Sequence, residues 1–123
     1  MKIRRGDLVL VGFPFTDLTA TKVRPALVVS ATAHHRAAGD VLLAAISSTP
    51  PKRPKATHVV VKQSDSEFSA TGLKRTSVVL CGKLFTMEQR LVLRHLGRLD
   101  RAHLDRVDRG LTAVLGLGGA GAR

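Results

Sequence analysis

Short apolar runs, each stopped by proline, glycine or small polar residues, recur through the first two thirds of the chain. Residues 8–13 form the first, halted by Pro14 and by the turn-forming Thr16 and Asp17, and residues 26–30 form the second, entered through Arg24-Pro25. Gly39-Asp40 introduces a third run at 41–46, and residues 58–62 and 77–86 supply a fourth and a fifth. Runs of this length, rich in β-branched residues and separated by turn chemistry, predict strands. Gly82, inside the fifth, predicts a bulge or a close backbone approach.

The period changes near the C-terminus. Thr86 and Gln89 have capping-box spacing, which predicts a short helix before residues 96–99 return as a strand-like piece. From Asp100, a good N-cap residue, Leu104, Val107, Leu111, Val114 and Leu115 recur at helical spacing, with Arg101, Asp105, Arg106, Asp108 and Arg109 on the other face. Gly116 is placed to end this helix in the left-handed conformation. Several short strands closed by one helix predict a mainly β fold, a small SH3-like barrel. The 123 residues hold one domain, 1–116, with a flexible Gly-rich tail at 117–123.

Charge narrows the partners. Twenty Lys+Arg against nine Asp+Glu give a net charge of +11, which points to a polyanion. The excess is greater early in the chain: ten Lys+Arg against three Asp+Glu up to Lys62, and ten against six after it. One cysteine, Cys81, excludes an internal disulfide and a multi-cysteine zinc site, and its apolar neighbours predict a buried thiol. No signal peptide or anchor is legible, so the cytoplasm is the expected location, with no membrane partner.

The order and spacing of Gly6-Asp7-Leu8-Val9, Phe13-Pro14-Phe15-Thr16-Asp17, Arg24-Pro25-Ala26-Leu27-Val28-Val29-Ser30, Ile46-Ser47-Ser48-Thr49, Leu84-Phe85-Thr86 and Leu96-Gly97-Arg98-Leu99 closely resemble the MazF/PemK toxin family. The resemblance spans nearly the whole chain. It implies an SH3-like barrel with a C-terminal helix, a homodimer, sequence-selective and metal-independent cleavage of single-stranded RNA with no cofactor, and restraint by an acidic antitoxin of the MazE/PemI kind. It makes Arg24 and Ser47 the catalytic pair. Many relatives carry an acidic residue and Gln where this chain has Gly82-Lys83, so a hydrogen-bonding pair at the RNA groove is absent.

The residues suit that chemistry. In metal-free RNA cleavage the 2′-hydroxyl attacks its own phosphate, so the protein must orient it, stabilise the phosphorane and protonate the leaving oxygen. Arg24 offers a planar cation that clamps two phosphate oxygens; being permanently protonated, it serves as an electrostatic group before a base. Ser47 offers a hydroxyl for the phosphate, with Ser48 beside it as the competing candidate. A strand-ending turn also accounts for Ser47. The residues do not single out the group that takes the 2′ proton.

Lys52, Arg53 and Lys55, on the proline-rich loop after Ser47, are placed to follow RNA phosphates. Phe15, Thr16 and Lys22 are further RNA-contact candidates, Phe15 as a stacking surface. His34-His35 is a rival acid–base pair; a surface loop explains it equally, and with Asp40 it makes no compact metal-ligand spacing. Two other readings of such a barrel are a CcdB-like gyrase inhibitor and a nucleic-acid-binding module without catalysis.

Overall fold

The computed structural model describes residues 2–14 and 21–118. Six strands, β1 (Asp7–Pro14), β2 (Thr21–Val28), β3 (Asp40–Ser47), β4 (His58–Val61), β5 (Ser77–Glu88) and β6 (Arg94–Arg98), form one curled sheet in the order β4-β5-β3-β2-β1-β6. Every pairing is antiparallel. Two helices, α1 (Thr32–Ala38) and α2 (Arg101–Leu115), complete the fold.

The strands read as continuous apolar runs because both faces of the sheet are buried. On one face Leu8, Leu27, Ala44, Ile46, Val79 and Cys81 pack with Leu104 and Val107 of α2. On the other, Val9, Val11, Ala26, Val28, Val41 and Leu43 close over Ile3 and Val92. Alternate residues of one strand therefore enter different apolar clusters, and a one-residue slip would exchange both.

Helix α2 begins and ends as its sequence predicts, capped by Asp100 and closed by Gly116 at φ 68°. Its buried stripe is Leu104, Val107 and Gly110; Val114 and Leu115, expected on the same stripe, are exposed. Gly110 lies where a Cβ would come within 2.7 Å of Cys81 Sγ, so the helix seats directly on β5. Burial raises the Cys81 thiol's pKa and keeps it protonated, consistent with a small core residue.

Two expectations are corrected. The helix expected from Thr86 and Gln89 is absent: β5 runs on to Glu88, and only a 3-10 turn, Gln89–Leu91, follows, with no side-chain cap. Pairing with β3 outweighs the local capping signal, since Thr86 sits opposite Leu42. His34 and His35 are on α1, not on a loop, and His35 is buried. Its Nε2 lies 2.5 Å from Ser30 Oγ. Ser30 Oγ also accepts the Leu42 N–H at 2.9 Å, so the hydroxyl ties the imidazole to the backbone of β3. Imidazole burial thus anchors α1.

The start of α2 carries an acid-labile tie. His103 Nδ1 is 2.6 Å from Asp100 Oδ1, and its Nε2 is 3.1 Å from Asp65 Oδ2. Burial raises the Asp100 pKa, but hydrogen bonds from the His103 side chain and backbone, with the imidazole's charge, outweigh it and leave the net shift downward. A carboxylate lowered in the folded state contributes stability at pH above its unfolded value of about 3.9, and that contribution is lost as pH falls through the folded value. Asp100→Asn keeps a capping side chain without the charge. Denaturant melts from pH 6 to pH 2 should show the parent more stable than the variant at the upper end and the gap closing below about pH 4; a gap that does not change with pH would refute the tie.

Candidate functional site

Arg24 and Ser47 meet at one end of the sheet. The β2–β3 register runs Val28↔Leu43, Leu27↔Ala44, Ala26↔Ala45, and beyond its end Arg24 and Ser47 line one cleft. Arg24 itself is held in β2 by pairing with Val11 of β1. Pro25, between Arg24 and Ala26, has no N–H to extend a ladder, and the pairing of β2 with β3 stops at Ala26↔Ala45. Where the strands part, a cleft of about 530 Å³ opens, lined by Arg24, Ala45, Ser47, Gly82, Lys83 and Phe85 among others. That volume is within the usual range of ligand sites.

The third wall comes from an irregularity in β5. Its pairing with β3 jumps from Ala44↔Leu84 to Ala45↔Leu80, so residues 81–83 are extra. Cys81 turns into the core, while Gly82 and Lys83 are exposed at the cleft. This is the break that Gly82 in a strand predicts. A bulge re-aims side chains beside a site, and here it brings an ammonium to the side opposite Arg24.

Arg24 and Ser47 are both half-buried. The Thr49 N–H donates to Ser47 Oγ at 3.1 Å, the turn contact expected of a strand-ending serine. It occupies an acceptor site of the hydroxyl and leaves its proton available to a ligand. Ser48 is exposed and does not line the cleft. Lys22, Lys52, Arg53 and Lys55 are exposed and also outside its lining, whereas Phe15 and Thr16 lie outside the described residues. Lys83 and Phe85, which are not among the site residues expected from the sequence, line it. The break in strand pattern at Gly82 was the available signal.

Arg24 and Lys83 are the charged groups of the lining, and no carboxylate is among the described lining residues. A cleft with two cations, a hydroxyl and a half-buried aromatic ring suits a phosphate joined to a flat base. Among the described residues no three of His, Cys, Asp and Glu gather to hold a metal ion, and no helix is long and apolar enough to cross a membrane.

Comparison with known proteins adds a family and a fold. A family model described as PemK-like, MazF-like toxin of type II toxin–antitoxin system matches residues 4–115. No curated protein matches. An endoribonuclease in complex with its cognate antitoxin from a Mycobacterial species superposes with a TM-score of 0.73 at 22% identity, covering 94% of this chain and 97% of that one. The Mycobacterium tuberculosis toxin MazF-mt6 gives 0.69 at 21%, covering 89% and 95%. A MazE–MazF complex from Deinococcus radiodurans gives 0.75 at 21%, covering 96% and 99%. At these identities the likeness is one of fold.

Proposed function

The chain belongs to the PemK-like, MazF-like toxins of type II toxin–antitoxin systems, and from that premise we propose that it is an endoribonuclease that cleaves single-stranded RNA at the Arg24–Ser47 cleft without a metal ion. The observation that carries this reading is the convergence of Arg24, Ser47 and Lys83 on one cleft that has no carboxylate among its described lining residues. Such a lining repels a divalent cation and attracts a phosphodiester.

In the reaction the 2′-hydroxyl gives up its proton to solvent as its oxygen attacks the adjacent phosphorus, the bond to the 5′-oxygen breaks and that oxygen takes a proton from solvent, leaving a 2′,3′-cyclic phosphate and a 5′-hydroxyl. Arg24 holds two phosphoryl oxygens and stabilises the charge that grows on them in the phosphorane. Ser47, with its oxygen turned to the Thr49 N–H, donates a hydrogen bond to a phosphoryl oxygen and keeps its proton. Lys83 supplies the second positive charge, on the side where the leaving oxygen becomes negative. Phe85 gives the adjacent base an apolar face.

Cleavage of messenger RNA by such a site would stop translation, the action of a growth-arresting toxin. Two of the similar structures are complexes with an antitoxin. A chain of net charge +11 suits an acidic antitoxin segment that folds over the cleft, and the functional unit is a homodimer.

The test is cleavage of a diverse single-stranded RNA pool in excess EDTA, with the ends mapped. Cleavage with 5′-hydroxyl products and a shared sequence around the cut is expected, and a strict need for added metal would sink the mechanism. Ser47→Ala should lower the rate about a hundredfold, the usual cost of one lost transition-state donor, and Ser48→Ala should change it less than threefold. The reverse order of effects would move the hydroxyl to residue 48.

A further inference from the structure

At the other end of β3 from Ser47 lies a second and larger cleft, about 810 Å³, between the N-terminal segment, α1 and the 3-10 turn after β5. Four of its ten described lining residues are cations, Lys2, Arg4, Arg36 and Arg90, and none of the ten is acidic, against 20 cations in 123 residues for the whole chain. Arg90 is engaged by Glu88 at 2.6 Å. Lys2, Arg4 and Arg36 are exposed and have no ion pair among the described residues.

The three walls are tied together, so the backbone that carries these charges is held in place before any ligand arrives. The Arg5 N–H donates to Thr32 Oγ1 at 3.2 Å, and His35 Nδ1 lies 3.4 Å from the Ile3 carbonyl, joining the N-terminal segment to α1. The Gln89 N–H donates to the Gly39 carbonyl at 2.8 Å, joining the turn to the end of α1. Concentrating unpaired cations on a fixed concave wall costs repulsion that an anion would relieve.

Both clefts open on the same face of the sheet. Arg24, Ala26 and Val28 alternate along β2 on that face, and Ala45 and Leu43 face them from β3. Phe85, which lines the first cleft, packs with Met87 on the same apolar cluster as Ile3 and Val92, which line the second. Gln89, two residues beyond Met87, reaches the second cleft. The separation along β3, from Ser47 to Gly39, is roughly 25 Å at strand rise.

We propose that this second cleft is a phosphate-binding subsite for the same RNA strand, taking backbone phosphates several nucleotides away from the cleaved bond. The assignment rests on the cleft at Arg24 being the cleavage site. RNA is favoured over an acidic peptide because the two clefts share one face of the sheet and are joined along it by Phe85, Met87 and Gln89, so a strand seated in the first extends toward the second. Here the protein would read charge spacing and not base identity, since the described lining contains no Phe, Tyr or Trp.

The experiment uses the full chain and the triple variant Lys2→Ala, Arg4→Ala, Arg36→Ala, whose changes are all at exposed positions. Binding of 2′-O-methyl RNA, which cannot be cut, is measured by anisotropy against salt for strands of about four and about sixteen nucleotides. For the long strand the variant should bind at least tenfold more weakly, with a salt slope shallower by about 0.7 for each phosphate that it no longer neutralises. For the short strand, affinity should stay within about twofold.

Equal affinity and slope for the long strand would overturn the subsite. So would an equal loss for both lengths, which would mean a general field, or a loss confined to a poly-glutamate peptide, which would give the cleft to a protein partner. The parent's cleavage in EDTA separates the two readings: a parent that cuts RNA while the variant binds normally refutes the subsite alone, and a parent that never cuts refutes the cleavage site itself.

Discussion

Arg24→Ala is expected to lower RNA cleavage about a thousandfold, the largest catalytic effect of any single substitution in the chain. Removing one preorganised donor from a transition state typically costs about 10²- to 10³-fold, and a cation that clamps a phosphoryl group ranges higher. The side chain is half-buried at the rim where β2 and β3 part, so its loss leaves the apolar clusters intact. A thermal melt within about 4 °C of the parent would show that chemistry was removed and not folding. Arg24→Lys keeps the charge but not the two-pronged geometry and should recover only part of the rate. Cleavage by folded Arg24→Ala within tenfold of the parent would place the phosphate elsewhere.

Gly97→Ala is expected to be among the most damaging single-methyl changes to stability. An added Cβ would stand 2.2 Å from the Ala70 carbonyl oxygen and 2.6 Å from the Thr71 carbonyl carbon. Both are backbone atoms of the 3-10 turn Phe68–Thr71, so no side chain can swing aside, and β6 must separate from that turn. The cost should reach about 3 kcal/mol, the upper end of overpacking, with a melting temperature lower by roughly 10 °C. Gly39→Ala is the control, since φ is 74° there but nothing lies within 4 Å of the added atom. Its cost should be the left-handed strain alone, about 1 kcal/mol. Equal losses in the two variants would mean that the contact at Gly97 relaxes freely.

Together the two substitutions separate what the cleft needs chemically from what holds its frame. Arg24 acts at the end of a ladder where strand pairing has already stopped. Gly97 lets β6 lie against the 68–71 turn, which keeps β1 paired on its outer side through Leu8↔Gly97 and Val9↔His95. Loosening that edge frees the strand that holds Arg24 through Val11.

The chain's local chemistry determined a good deal by itself. Five apolar runs bounded by turn residues specified the principal strands, and residues 96–99 marked the sixth. Asp100 and Gly116 specified the limits of α2, since a cap is satisfied by residues three or four positions away. The order of motifs from Gly6-Asp7 to Leu96-Gly97 carried the family. Tertiary structure decided the rest. Pairing with β3 drew Thr86 into a strand against its capping signal, and a buried bond to Ser30 made a helix anchor of His35. Only the alignment of β2 with β3 and the slip in β5 could bring residues 24, 47 and 83 to one cleft. Local signals act over a few residues, whereas register is settled by which apolar faces are buried together, and that is a property of the whole sheet.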